Sequence, residues 1–252
     1  MDQEARKPSR VSRFRRLREA IAEHHWFSVT IEILIVTIGI LLAFEIEQWA
    51  QERQRAAEER QFLERLYREY ARGIEELTLV IQRNQDRVMS DYQKAFAARG
   101  DRARLEEYAS IHNFGCAAGY LRSTPFSDTA FHELVSSGRL SMISNADLRA
   151  RIRDLTTEQA SLKDRAAEGT ALALSTSAMM EPYYRFELLA DGSTRCYVDW
   201  SRLFDDPRAV NAAVRIYRIQ ELVRSGRVDL RRMTEEVRAE VGCELGKPEC
   251  RR

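Results

Sequence analysis

The chain has 252 residues, 44% hydrophobic and 31% charged, with a net charge of +1. That is enough apolar material for a sizeable folded core, and the near-neutral balance excludes a body built as a nucleic-acid-binding surface. Only 11 glycines and 5 prolines occur, so long helices are expected rather than a sandwich or barrel full of tight turns.

Residues 1–25 carry seven basic side chains (Arg6, Lys7, Arg10, Arg13, Arg15, Arg16, Arg18) against four acidic ones. Val11, Phe14, Leu17 and Ile21 recur among them at spacings of three and four. The segment reads as a short basic amphipathic helix on an anionic leaflet, or as an unstructured basic tail. Either way it is too short for a folded domain of its own.

From Trp26 to Phe44 nineteen residues carry one charge, Glu32, and at ~1.5 Å per residue they span ~28 Å, about one hydrocarbon core. A cleaved secretory signal would end in a small-x-small site, whereas this run ends in "AFEIEQW", so an uncleaved anchor over 26–46 is predicted. Seven Lys or Arg precede Trp26 and only Arg53 and Arg55 fall in the fifteen residues after Phe44. The lipid bilayer of the inner (plasma) membrane is therefore one expected partner, with the amino terminus cytoplasmic and the rest periplasmic or extracellular. Trp26 and Trp49 stand where interfacial anchors would.

On a helix, Ser28, Glu32, Gly39 and Ala43, with His25 and Ala50, fall within ~40° of one line. Gly39 and Ala43 have the small-x-x-x-small spacing that lets two membrane helices approach closely. With the midplane near Ile38, Glu32 lies ~9 Å towards the cytoplasmic side. It either snorkels to the inner interface or faces a neighbouring helix, protonated or bonded to Ser28, because a carboxylate facing lipid is costly.

Beyond the anchor, 47–242 is predicted as an exported antiparallel helical bundle and 243–252 as a cysteine-containing tail. Between Glu45 and Arg99 there is no proline, and Leu63, Leu66, Tyr70, Leu77, Ile81, Val88, Tyr92 and Phe96 keep a three-four rhythm, so one helix should continue to about Arg99. A second is expected from about Leu105 to Leu121. A third fits "SDTAFHELVSSG", with Ser127 capping it, Phe131, Leu134 and Val135 buried, and Gly138 ending it. The next restarts at Ser144 or Asn145 and should stop at Pro182. "RFELLADGSTRCYVDW" reads as one small β-hairpin or ordered loop around Asp191-Gly192. Asp206 and Pro207 then open a last long helix. The fold class is mainly α.

Four cysteines in an exported chain fit two disulfides, with three connectivities open. Cys116 with Cys196 and Cys243 with Cys250 is the preferred set; free buried thiols are the alternative.

The anchor, with Glu32 followed by Gly39-Ile40-Leu41-Leu42-Ala43 and Trp49, resembles that of an uncharacterised bacterial family of single-pass membrane proteins. So does the segment Leu134, Ser136-Ser137-Gly138, Leu140, Ile143, Asn145, Leu148. The resemblance covers roughly residues 26–165. It departs at Glu45 and Glu47, where such proteins commonly carry amides. It implies a single-pass anchor with a helical body and supplies no catalytic residues.

Asp128, His132 and Ser136 are four apart, but a nucleophilic serine needs a sharp turn and oxyanion donors, so capping and packing is the better reading. His112 and Cys116 share a face, yet two ligands fall short of a structural zinc site. No phosphate-cradling glycine motif occurs, and neither a metal nor a cofactor is expected. The expected function is a non-enzymatic membrane-anchored scaffold, sensor or accessory subunit that self-associates or joins another membrane protein, without nucleic acid. A transport or channel component with Glu32 lining a pathway is the alternative, and an exported hydrolase the third.

Overall fold

The computed structural model describes residues 11–116, 121 and 129–250. The chain divides into two compact units, Met1–Glu58 and Glu59–Arg252.

In the first unit the backbone is helical from the first described residue, within α1 (Val11–Val80). From Val11 on, the described part of the basic segment is continuous with the rest of α1, no proline or glycine separating it from Trp26. α1 is long and apolar enough to cross a membrane, and its most apolar window is not buried at all. Thr30 and Thr37 donate their hydroxyls to the carbonyls of Trp26 and Ile33, both at 2.7 Å, so neither adds an unmet polar group to the apolar surface.

In the second unit, α1 reaches Val80 and is followed by a π-helical turn, Ile81–Asp86, and by α2 (Arg87–Ala97). This corrects the single uninterrupted helix expected to about Arg99. A π turn holds one more residue per turn than an α turn, so it re-aims the side chains that follow. Here it carries Gln85 inward, where Nε2 donates to the Gln220 carbonyl at 3.3 Å. Asp86 accepts from Arg224.

α3 spans Arg102–Ser110, capped by Asp101, and ends well short of Leu121. Asn113 (φ 63°) and Gly115 (φ 78°) adopt left-handed backbone there, which an α-helix cannot include. α4 (Thr129–Ser136) stops at Gly138 (φ 69°), and the Arg139 N–H returns to the Leu134 carbonyl at 3.0 Å. Phe131 and Leu134 are buried, but Val135 is 46% exposed, because an eight-residue helix has room for one buried stripe only. Ser127 lies outside the described residues.

α5 (Ala146–Ser177) begins at Asn145, whose Oδ1 accepts from the N–H groups of Asp147 and Leu148, and ends before Pro182, which stands in a 3-10 turn instead. β1 (Tyr184–Leu188) pairs antiparallel with β2 (Thr194–Val198), Tyr184 opposite Val198. α6 (Trp200–Asp205), unforeseen in the sequence, precedes α7 (Pro207–Glu244), and the Asp206 side chain caps α7 on Arg208 N–H.

α5 and α7 run antiparallel in close contact. Asn145 Nδ2 reaches Glu244 at 2.6 Å, and Arg151 pairs with Glu240. Gly226 and Gly169 sit against Leu162 and Ile219, where a Cβ would come within 2.7 and 3.2 Å. One core joins Leu66, Tyr70 and Leu77 of α1 to Leu134, Ile152, Leu155, Leu162, Leu230 and Val237. A second surrounds Trp200, with Tyr92 at 5.3 Å edge-on, Phe114, Met180 and Ile216. Along α7, Gln220 and Arg227, both buried, lie between the residues of the two cores.

Candidate functional site

Two surfaces hold the residues of interest, one in each unit. In the first, the α-helical spacing sets Ser28, Glu32, Gly39 and Ala43 on one side of α1. All four are exposed, and a Cβ built on Gly39 would meet nothing within 4 Å. Trp26 and Trp49 are 76% and 56% exposed, and the Arg53 guanidinium lies 4.2 Å from the Trp49 ring centre.

In the second unit the serine and asparagine residues of the central motif act on the backbone. Ser136 and Ser137 donate to the carbonyls of Glu133 and Leu134, at 3.1 and 3.0 Å. Gly138 turns the chain and Asn145 caps α5. His132 and Ser136 are exposed, while Asp128 lies outside the described residues. Disulfides join Cys116 to Cys196 and Cys243 to Cys250. With Cys116 bonded in this way, His112 has no thiolate beside it, and its ring nitrogen lies 3.0 Å from Asn113 Nδ2 instead. Among the described residues no group of three or more His, Cys, Asp or Glu could hold a metal ion.

A feature absent from the sequence reading is a cavity of about 360 Å³ at the π turn. Arg83, Gln85 and Arg87 line it from the π turn and the start of α2, and Asp91 from one turn further on. Gln220 and Arg227 reach it from α7, and Asn113 and the Cys116–Cys196 disulfide form another wall. Arg83 and Arg87 are exposed, whereas Arg227 is wholly buried and Gln85 is 2% exposed. Among the described residues, Gln85 Oε1 has no hydrogen-bond partner.

Burial pushes the Arg227 guanidinium down to about 10, which leaves it charged at neutral pH. Burial also raises the Asp91 carboxyl above its ordinary value, opposed by the Gly115 N–H and by Arg87 and Lys94. That N–H donates to Asp91 Oδ2 at 3.2 Å. Among the described residues, the walls carry the side chains of Arg83, Arg87 and Arg227 and the carboxylate of Asp91.

The sequence did contain a trace of this site. Ile216, Val223, Leu230 and Val237 repeat every seven residues, and the positions four after the first three of these are Gln220, Arg227 and Thr234, all buried. A charged and two polar residues on the inward stripe of a helix mark a polar layer in a core. The π turn left no comparable signal.

Neither family models, curated proteins nor solved structures give a match to this chain.

Proposed function

We propose that this is a non-enzymatic single-pass membrane protein whose anchor pairs with a second copy through the Ser28, Glu32, Gly39 and Ala43 side of α1. In this reading the amino terminus is cytoplasmic, in the inner membrane. Residues from Glu59 onward form a helical bundle on the periplasmic or extracellular side, acting as a scaffold, sensor or accessory subunit. The resemblance of the anchor and of the "SSGRL" segment to single-pass bacterial proteins belongs to the same proposal.

One observation carries it: the apolar stretch of α1 has no protein cover on any side, with Ile33, Leu34, Ile35, Leu41 and Leu42 each more than half exposed. An isolated apolar helix of that length is stable only in lipid. Within lipid, the side bearing Glu32 is the costliest to leave facing hydrocarbon, and Gly39 and Ala43 on that side allow a second helix to approach. The two disulfides are further support for an exported body.

The test is the mass of the full chain extracted in mild detergent, by light scattering after size exclusion. Glu32→Leu and Gly39→Leu should each move the wild-type assembly towards the mass of one chain. If both variants keep the wild-type mass, pairing through this side is wrong.

A further inference from the structure

We infer that β1 is a docking edge for β1 of a second copy of this chain, the two strands pairing antiparallel about Phe186 to make one four-stranded sheet from two hairpins. The reading goes beyond the anchor: it concerns the Glu59–Arg252 unit alone and stands whether or not the anchors pair.

The hairpin leaves one edge open. The Asp199 N–H donates to the Tyr183 carbonyl and the Leu189 N–H to the Ser193 carbonyl, both at 2.8 Å. With Arg185 opposite Tyr197 and Glu187 opposite Arg195, the odd-numbered residues of β1 therefore turn their backbone groups to β2 and the even-numbered ones turn theirs away. The Tyr184 N–H is taken by the Glu181 carbonyl. Among the described residues, no hydrogen bond reaches the N–H and C=O groups of Phe186 and Leu188 or the Tyr184 C=O. The outer edge of β2 differs, because its Cys196 carbonyl is occupied by the Asn113 N–H at 2.8 Å. On β1, Phe186 and Leu188 are also 66% and 77% exposed. An open edge with apolar side chains is a template for another strand.

The identity of that strand follows from charge. Tyr184, Phe186 and Leu188 share one face of β1, and Arg185 and Glu187 share the other. Two copies paired antiparallel about Phe186 set Arg185 of each opposite Glu187 of the other, twice by symmetry, and Phe186 opposite Phe186. A slip of two residues sets Arg185 opposite Arg185 or Glu187 opposite Glu187, with like charges face to face. A slip of one is excluded because only the even-numbered residues offer backbone groups outward. One register is thus selected. In it the Phe186 N–H and C=O of each copy meet those of the other, and each Leu188 N–H meets the Tyr184 C=O across the edge, leaving the Leu188 C=O to water.

Both charges are already held on one face. The Arg185 guanidinium lies 4.7 Å from the Tyr197 ring centre, and its Nε lies 3.5 Å from Glu187. Across the four strands that face then runs Tyr197, Arg185, and Glu187 and Arg195 of the second copy, so the Arg185 charge sits between an aromatic ring and a carboxylate.

The experiment is photocrosslinking of the purified full chain in mild detergent at ~100 μM, with p-benzoylphenylalanine in place of Leu188 and mass spectrometry of the covalent dimer. The joined residue should lie within Tyr184–Leu188 of the second copy. Glu187→Arg and Arg185→Glu are surface changes that should fold, and each should cut the yield ~10-fold by turning two opposite-charge pairs into like-charge ones. Combining them restores the opposite pairs and should restore the yield, which a loss of fold would not. Phe186→Pro removes an outward N–H, leaves the ladder to β2 intact, and should abolish the dimer. The proposal is overturned if no covalent dimer forms or if the joined residues lie outside 184–188. Single charge variants that crosslink like wild type, a combined variant as low as the single ones, or a Phe186→Pro dimer at full yield overturn it too. Failure of the anchor reading shows instead as an assembled mass unmoved by Glu32→Leu and Gly39→Leu, with the position of the crosslink unchanged.

Discussion

Gly115 illustrates how much one side chain's absence can hold together. Its backbone is left-handed at φ 78°, and a Cβ would lie 2.4 Å from Cζ2 of Trp200, the largest fully buried side chain. Left-handed backbone alone costs an L residue roughly 1–2 kcal/mol, and forcing extra volume into a packed core roughly 1–3 more. Gly115→Ala should therefore destabilise the protein by about 3 kcal/mol in urea unfolding. Gly100→Ala is the internal comparison: its φ is 100°, but nothing lies within 4 Å of the added carbon. That variant should lose only the backbone part, and equal losses in the two would show that the Trp200 contact is unimportant.

Among the elements, α7 depends on a titratable cap. Asp206 accepts from the Tyr183 hydroxyl at 2.7 Å and from the Arg208 N–H at 2.8 Å. The hydroxyl first, then the N–H, hold its carboxyl below the ordinary carboxylate value. A carboxyl depressed on folding adds stability that is present above its unfolded pKa and is lost as pH falls through the folded one. Asp206→Asn keeps a capping oxygen but cannot titrate. The stability gap between wild type and this variant should therefore narrow as urea unfolding is moved from about pH 5 to about pH 3. A gap that stays constant over that range would remove Asp206 from the acid response. Caps of this kind were legible in the sequence because they are local: Asp206-Pro207, Asn145 and Gly138 each act on the turn beside them. The early end of α3 was not, since Asn113 takes its left-handed turn while bonded to Cys196, eighty-three residues away in sequence. α6 was missed because its six residues are held by Trp200 and Leu203 in the core rather than by any helical repeat.

At the scale of the molecule, the apolar span was legible from composition alone, and so was the succession of helices in the Glu59–Arg252 unit. What sequence could not supply was the division of labour between two cores. Leu66, Tyr70 and Leu77 enter one, Val88 and Tyr92 the other, although all five read as a single stripe. The cavity lies where that stripe passes the π turn, and its charge comes from segments far apart in the chain. Of its charged residues, Arg227 is the one that falls on the seven-residue repeat of α7.

The π turn has one more consequence, for tolerance of lost residues. A wide turn of this kind is an α-helix with a supernumerary residue looped out of its spiral, the flanking helices keeping their phase. Deleting a single residue, Asn84, should let Ile81–Asp86 relax into ordinary α-helix, so that Leu77 and Val88 each stay in their own core and thermal unfolding shifts little. The same deletion at Arg72 or Lys94 has no slack to draw on, and should turn every residue beyond it by about 100° and unfold the protein. Within a chain of long helices, where register is ordinarily unforgiving, this one place behaves as a vernier: the fold can be shortened there without being broken.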